Sequence, residues 1–231
     1  MLDESKNIKK EKLVIVGASV FAQIAYEYFT HDSIYEVAAF AVERKYLKNK
    51  KLFDLPIVPF EEIENLYPPS QYRIFVALVY TQMNRPRTRL YLEAKKKGYH
   101  PVNYISSHAF VWHNVTIGDN TFIFEDNTVQ PFVKIGNNVI LWSGNHIGHH
   151  SIIKDNCFIA SHVVVSGCTE INENCFLGVN ATIADNLIIG KNCLIGAGAI
   201  ILKNAEENKV YGSKMTETKK YSALEYFKVI E

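Results

Sequence analysis

Residues 135–171 read IGNNVILWSGNHIGHHSIIKDNCFIASHVVVSGCTEI. Every sixth residue of this stretch, from Ile135 through Leu141, Ile147, Ile153, Ile159 and Val165 to Ile171, is a branched aliphatic. The period runs on in both directions, from Ile105, Val111, Ile117, Ile123 and Val129 to Leu177, Ile183, Ile189, Ile195 and Ile201, with Ile, Val or Leu at all seventeen positions. Two residues before most of these stands a second, smaller side chain, among them Val133, Val139, Ser151, Cys157, Val163, Thr169, Cys175, Ala181, Cys193 and Ala199. Gly, Asn and Asp recur between them, as in IGDN, IGNN, INEN and IGKN, where a sharp bend needs residues that tolerate φ > 0.

A six-residue strand and turn cannot bury its aliphatic residue alone. Three such units close one triangular coil of eighteen residues, and stacked coils bury a continuous column, which is a parallel β-helix. Seventeen units make between five and six coils, a prism roughly 25 Å tall at the β-sheet spacing. With this period Cys157, Cys175 and Cys193 fall in one column. Small-residue packing is their expected role, since no C-x-x-C spacing accompanies them.

Ahead of the repeats the pattern changes to alternating strand and helix signals. KLVIVGAS reads as a strand and tight turn, VFAQIAYEYF as a helix and YEVAAFAV as a strand. LPIV, the helix-like PFEEIENLY, the strand RIFVALV, the helix RTRLYLEAKKKG and the strand HPVNYI follow. This spacing predicts a small parallel α/β sheet over residues 1–104, a β-helix over 105–203, and a tail over 204–231 in which KKYSALEYFKVIE forms a short helix.

Composition narrows the class. Apolar residues are 48% and charged residues 21% of the 231, enough to fill a core and incompatible with wholesale disorder. Twenty-five basic against 24 acidic residues give a net charge of +1, and the runs KNKK and KKK are too short for a nucleic-acid footprint. No apolar run is long enough for a membrane span, and the lead MLDESKNIKKEK is charged where a secretory signal would be apolar. A cytoplasmic protein is the expectation.

Four of the eight histidines lie within residues 144–162. With Ile147 inward, His149 and His150 occupy the following turn, and His162 occupies the turn after Ile159, so all three should project from corners of the prism. His113 and His149 lie 36 residues apart, two full coils, which is similar to the zinc histidines of the γ-class carbonic anhydrases. Lys154 stands where that family would have its third histidine, leaving a zinc set incomplete. No metal is expected. A zinc-bearing or non-catalytic scaffold is the competing reading.

The [LIV]-G-x-x-x-x repeats resemble the left-handed β-helix of the hexapeptide-repeat acyltransferases, and the resemblance supplies the left hand. From Ile140 onward, ILWSGNHIGHHSII, CFLGVNATIADN and LIGAGAIILKN resemble the sugar acetyltransferases of the bacillosamine-pathway and sialic-acid O-acetyltransferase type, which also begin with a small Rossmann-like domain. The resemblance implies acetyl-CoA as cosubstrate, a homotrimer, and a nucleotide-linked amino sugar as acceptor, with sugar or sialic-acid O-acetylation as the alternative. It places the catalytic base at His149, in the family's I-x-H-[ED] motif, with His150 where the acid would be. His150 and His146 are the available supports for the base. It places acetyl-CoA contacts at Gly167, Val179, Ala197, Gly196 and His162, with Gly167 as the candidate N–H donor to the oxyanion and Phe158 where the family has a CoA-contacting histidine. It places nucleotide contacts at Gly17, Ala18, Ser19 and Glu43, with Phe21 at a family histidine position and Ala41 and Val42 near its acidic pair. The loop GASVFA lacks the G-x-G-x-x-G fingerprint of dinucleotide sites. Tyr80, Asn84, Arg85 and Arg87 follow strand RIFVALV and could bind a phosphate or carboxylate, or could be only the polar start of a helix.

Overall fold

The computed structural model describes residues 11–229; most of the charged lead lies outside the described residues. The N-terminal domain is built on a five-stranded sheet, β1 (Glu11–Val16), β2 (Tyr35–Val42), β3 (Lys51–Leu52), β4 (Leu55–Pro59) and β5 (Tyr72–Val76), in the order β3-β4-β2-β1-β5. Its pairings are parallel except at the edge, where β3 returns antiparallel to β4 across Phe53 and Asp54, both with positive φ. Helices α1 (Val20–His31), α2 (Ile63–Leu66) and α3 (Arg85–Lys96) cover the sheet. Side-chain alternation explains the two layers. Leu13, Ile15, Phe75 and Ala77 face α1 and the β-helix, while Val14, Val16, Ile74 and Val76 face α3.

Two expectations change. PFEEIENLY forms only a 3₁₀ turn and the single helical turn α2. HPVNYI is not a strand of this sheet: Pro101 makes one bridge to Ile74, and Tyr104–Ile105 is already the first strand of the β-helix.

From Tyr104 to Tyr211 the chain winds a left-handed β-helix of eighteen two-residue strands, each paired in parallel with a strand one coil away. The shift is eighteen residues, as in His146 between Thr128 and Val164, except in the last coil, where Leu194 pairs with Val210 sixteen residues on. The three faces are named by a member residue. The His146 face runs from Phe110–Val111 to Ile200–Ile201, the Glu170 face from Thr116–Ile117 to Ile188–Ile189, and the Phe158 face from Tyr104–Ile105 to Val210–Tyr211. The aliphatic ladder and its smaller companions fill one dry column from Ile123 to Ile201. Ile105, with no coil beneath it, is the rung left 39% exposed. The thiols of Cys157, Cys175 and Cys193 are buried in that column and donate to the carbonyls of Asn172, Gly190 and Glu206 at 3.0–3.2 Å, so each thiol serves packing and a backbone acceptor.

The corners have their own period. From Asn120 to Gly198 every sixth residue has a positive φ, where the chain turns sharply from one face to the next. Asn, Asp or Gly fill ten of these fourteen places, and Phe132, His150, His162 and Cys168 fill the rest. A non-glycine residue there costs about 1–2 kcal/mol, least for Asn and Asp.

The N-terminal domain sits on the Phe158 face. The outward residues Phe122, Ile140 and Phe158 are buried beneath it, and Phe21, Phe29, Phe75 and Tyr104 pack edge-on or tilted against Phe122. Arg87 reaches from α3 into the edge between the Glu170 and Phe158 faces, where its Nη2 donates to the carbonyls of Asn138, Asn156 and Cys157 at 3.1 Å. Burial draws its pKa down to about 9, which still leaves a cation at neutral pH. On the opposite flank Glu125 accepts from Tyr28 and Ser143, and Asp32 accepts from Tyr104 and from the Ser107 N–H. After Tyr211 an extended tail leads to one helical turn, Ala223–Tyr226, closed by a Ser222–Glu225 capping box.

Candidate active site

His149 and His150 project from the edge between the His146 and Glu170 faces, both exposed in the single chain. Gln130, one coil away on the same edge, accepts from the His149 N–H at 2.9 Å, and the His149 carbonyl accepts from Cys168 at 2.8 Å. These bonds fix the backbone that carries the ring. The ring itself lies over Gly167, one coil further on, where an added Cβ would stand 2.8 Å from His149 Cε1 and Nε2. Only glycine leaves that space. The Gly167 N–H has no acceptor among the described residues, so a free backbone donor lies beside the imidazole.

The two imidazoles meet through Nδ1 atoms 3.2 Å apart, so one ring donates and the other accepts. The His150 ring stacks on Phe132 with centroids 4.6 Å apart. His146 points outward from its strand, half-buried, and among the described residues no hydrogen bond joins it to either ring. His113 packs its ring against Trp112. Among the described residues no group of three His, Cys, Asp or Glu stands placed to hold a metal ion.

The residues assigned to acetyl-CoA do not share an edge. Gly167 is beside His149. Val179, Gly196, Ala197 and His162 lie on the edge between the Phe158 and His146 faces. There the His162 ring covers Gly144, where a Cβ would fall 2.5 Å from it, and the tail is tied down by Ser213 Oγ donating to the Ala197 carbonyl at 2.6 Å. Beside this edge a cavity of about 250 Å³ is walled by Tyr80, Trp142, Phe158, Phe176 and Val179. Phe158 turns toward Tyr80 and Phe176, and the Arg87 guanidinium lies over its ring, 5.8 Å from the centroid.

A larger cavity, about 820 Å³, opens at the carboxyl end of β1, β2 and β5. Gly17, Ala18, Ser19 and Glu43 all line it. At Gly17, φ is +125° and a Cβ would meet the Ala77 carbonyl oxygen at 2.7 Å, so the tight turn and close approach require glycine. Ser19, the N-cap of α1, makes no side-chain cap bond, which leaves first-turn N–H groups facing the cavity as anion donors. Lys45, Arg85 and Arg89 add cations, with Arg89 bound to Glu43 at 2.9 Å. Arg89 was not among the residues singled out in the sequence, although it follows Arg85 by one helical turn and so shares its face.

Three sequence expectations end elsewhere. Phe21 is buried in the aromatic interface with the β-helix, away from the cavity. Asn84 and Arg87 are fully buried and donate to β-helix carbonyls. Of that group Arg85 alone lines the large cavity, while Tyr80 walls the aromatic one.

Residues 132–167 and 168–203 match the bacterial transferase hexapeptide (six repeats) family. The match lies on the central coils of the β-helix. No curated protein sequence matches the chain. Among solved structures, the β-helix and its N-terminal domain together resemble the acetyltransferase domain of PglB from Neisseria gonorrhoeae FA1090, with a TM-score of 0.80 at 22% identity over 88% of this chain and 97% of that one. They also resemble a variant of perosamine N-acetyltransferase from Caulobacter crescentus in complex with CoA and GDP-perosamine, with a TM-score of 0.79 at 21% identity over 87% and 93%. A third similar structure is WeeI from Acinetobacter baumannii AYE, with a TM-score of 0.67 at 19% identity over 87% and 96%. At these identities the likeness establishes the shared fold of both domains.

Proposed function

We propose that this chain is an acetyl-CoA-dependent N-acetyltransferase acting on the amino group of a nucleotide-linked deoxy sugar, in the cytoplasm, for surface glycan synthesis, and that it works as a homotrimer. The observation that carries the reading is the division of the candidate groups. His149 and Gly167 occupy the edge opposite the Phe158 face, while the nucleotide-sized cavity and its domain sit on that face. Val179, Ala197 and His162 occupy the intervening edge. One prism cannot bring its own edges together, whereas copies packed side by side can set the His149 edge of one against the His162 edge of the next. The solved structures of this fold that carry CoA and GDP-perosamine support the choice of donor and acceptor class.

In this reading the nucleotide lies in the large cavity, its diphosphate against the α1 N-terminus and the Lys45, Arg85 and Arg89 cations. Its amino sugar reaches the His149 edge of the neighbouring copy. The amine nitrogen attacks the thioester carbonyl as His149 Nε2 takes its proton. The C–N bond forms, the C–S bond breaks, and CoA leaves as the thiol once protonated. A positioned imidazole contributes about 10²- to 10⁴-fold to such a step, and the Gly167 N–H stabilises the tetrahedral oxyanion.

The test is thiol release from acetyl-CoA with a panel of UDP-, GDP- and dTDP-linked amino sugars, free amino sugars and sialic acid. Turnover confined to the nucleotide-linked amines, and abolished in His149→Ala with assembly intact, is the expected result. Turnover of sialic acid alone would move the assignment to O-acetylation. Full activity in His149→Ala would remove the assigned base.

A further inference from the structure

We infer that Phe132 and His150 form a positioning pair that sets the tautomer of His149 and so leaves Nε2 free to accept a proton. The inference rests on the proposed base and concerns how it is held. On most corners of the prism the left-handed residue is Asn, Asp or Gly, which adopt that backbone at little cost. The His149 edge departs from this on three successive coils, with Phe132, His150 and Cys168. Phe132 is the least suited of all the corner residues, being bulky, and it is also 54% exposed, so neither backbone preference nor core burial accounts for it. What its ring does touch is the face of His150.

The stack fixes the plane of the His150 ring and with it the direction of Nδ1, which meets His149 Nδ1 at 3.2 Å. Two arrangements of the proton are available. If His149 Nδ1–H donates, its Nε2 is bare beside Gly167, as the base requires. If His150 Nδ1–H donates, His149 Nδ1 accepts and its own proton sits on Nε2, where it blocks proton uptake. In an unconstrained histidine side chain the Nε2–H form is the ordinary tautomer, so a fixed acceptor at His149 Nδ1 is needed to reverse the preference. His150, carrying its own proton on Nε2, is that acceptor. It touches neither substrate nor the reacting atoms and acts through His149.

The experiment reads the full-length chain without substrate. Long-range ¹H–¹⁵N spectra of the neutral histidines, with His149 assigned by comparison with His149→Ala, should place its proton on Nδ1. In His150→Ala and in Phe132→Asn the signal should move toward the Nε2–H form. In turnover assays both variants should lower kcat roughly tenfold or more while the KM for acetyl-CoA changes little. His150→Asp, which tolerates the left-handed corner and offers a carboxylate acceptor, should restore most of the rate. Phe132→Asn should melt no lower than the parent, because Asn suits the corner better, which separates this role from a structural one. An unchanged His149 spectrum in both variants, or an unchanged kcat, overturns the inference. Absence of acetyl-CoA turnover in the parent would instead count against the proposed activity, since the tautomer is read independently of it.

Discussion

The imidazole of His149 lies directly over Gly167, one coil away, close enough that a single methyl group at the glycine would stand 2.8 Å from Nε2. The relation ties the base and the candidate oxyanion donor to one stacking distance. It also makes the glycine testable apart from the histidine.

Gly167→Ala should fold, because the glycine is not in the left-handed region, yet it should push the His149 ring from its place. The expected outcome is a fall in kcat of about 10²-fold, comparable to loss of a catalytic group, with a melting temperature close to the parent's. Steady-state kinetics beside thermal denaturation checks it. An enzyme of normal kcat would dissociate Gly167 from the site.

If the site is shared between copies, defects on different copies should complement. His149→Ala damages the edge of one protomer, and Arg89→Glu the nucleotide cavity, where Arg89 pairs with Glu43. Each alone should be nearly inactive. Trimers reassembled from a mixture should recover a measurable fraction of the parental rate, whereas a site contained in one chain predicts recovery no greater than the sum of the two.

Arg87→Ala removes a buried cation that three backbone carbonyls share and opens space between the domains. A loss of roughly 2–4 kcal/mol is expected from the unpaired carbonyls and the cavity together. Chemical denaturation measures it. A change within about 0.5 kcal/mol, typical of surface sites, would mean the clamp holds nothing.

The opposite flank should loosen in acid. Burial works against the carboxylates of Asp32 and Glu125. For Asp32, hydrogen bonds from Tyr104 and Ser107 outweigh it; for Glu125, those from Ser143 and Tyr28 do, and both pKa values lie below their ordinary 3.8 and 4.5. A depressed carboxylate contributes stability that is full above its unfolded value and fades as pH falls through the folded one. Stability should therefore decline below about pH 4.5, and Glu125→Gln should flatten that decline. Denaturant midpoints across the acid range would show an unchanged slope if the carboxylate is unimportant.

The β-helix was legible because one period governs both its core and its turns. Counting in sixes from Ile105 assigns the aliphatic ladder, the smaller inward set stands two residues before it, and counting in eighteens sets Gly167 beside His149. The domain interface was harder to read. Tyr104, Phe122, Phe158 and Phe176 recur at multiples of eighteen on outward positions, a signal for a covered face that an inward-facing count passes over. Arg87 stood open between an anion ligand and the polar start of a helix, because the carbonyls it binds belong to another domain and leave no mark near it in the sequence. Phe132 carried a signal too, as a phenylalanine on a corner where the period calls for asparagine.

The fixed register between coils has a consequence for how such a chain can change in length. Deleting one residue at a corner such as Asn174 would shift every later position by one, placing Gly178 and Ala184 where Leu177 and Ile183 now stand in the column and turning the aliphatic ladder out of it. Whole coils can be gained or lost without that penalty. Evolution of this prism should therefore proceed in steps of eighteen residues or by loops that bulge from a corner, and the His149 edge, once built, keeps its partners only through changes that conserve the count.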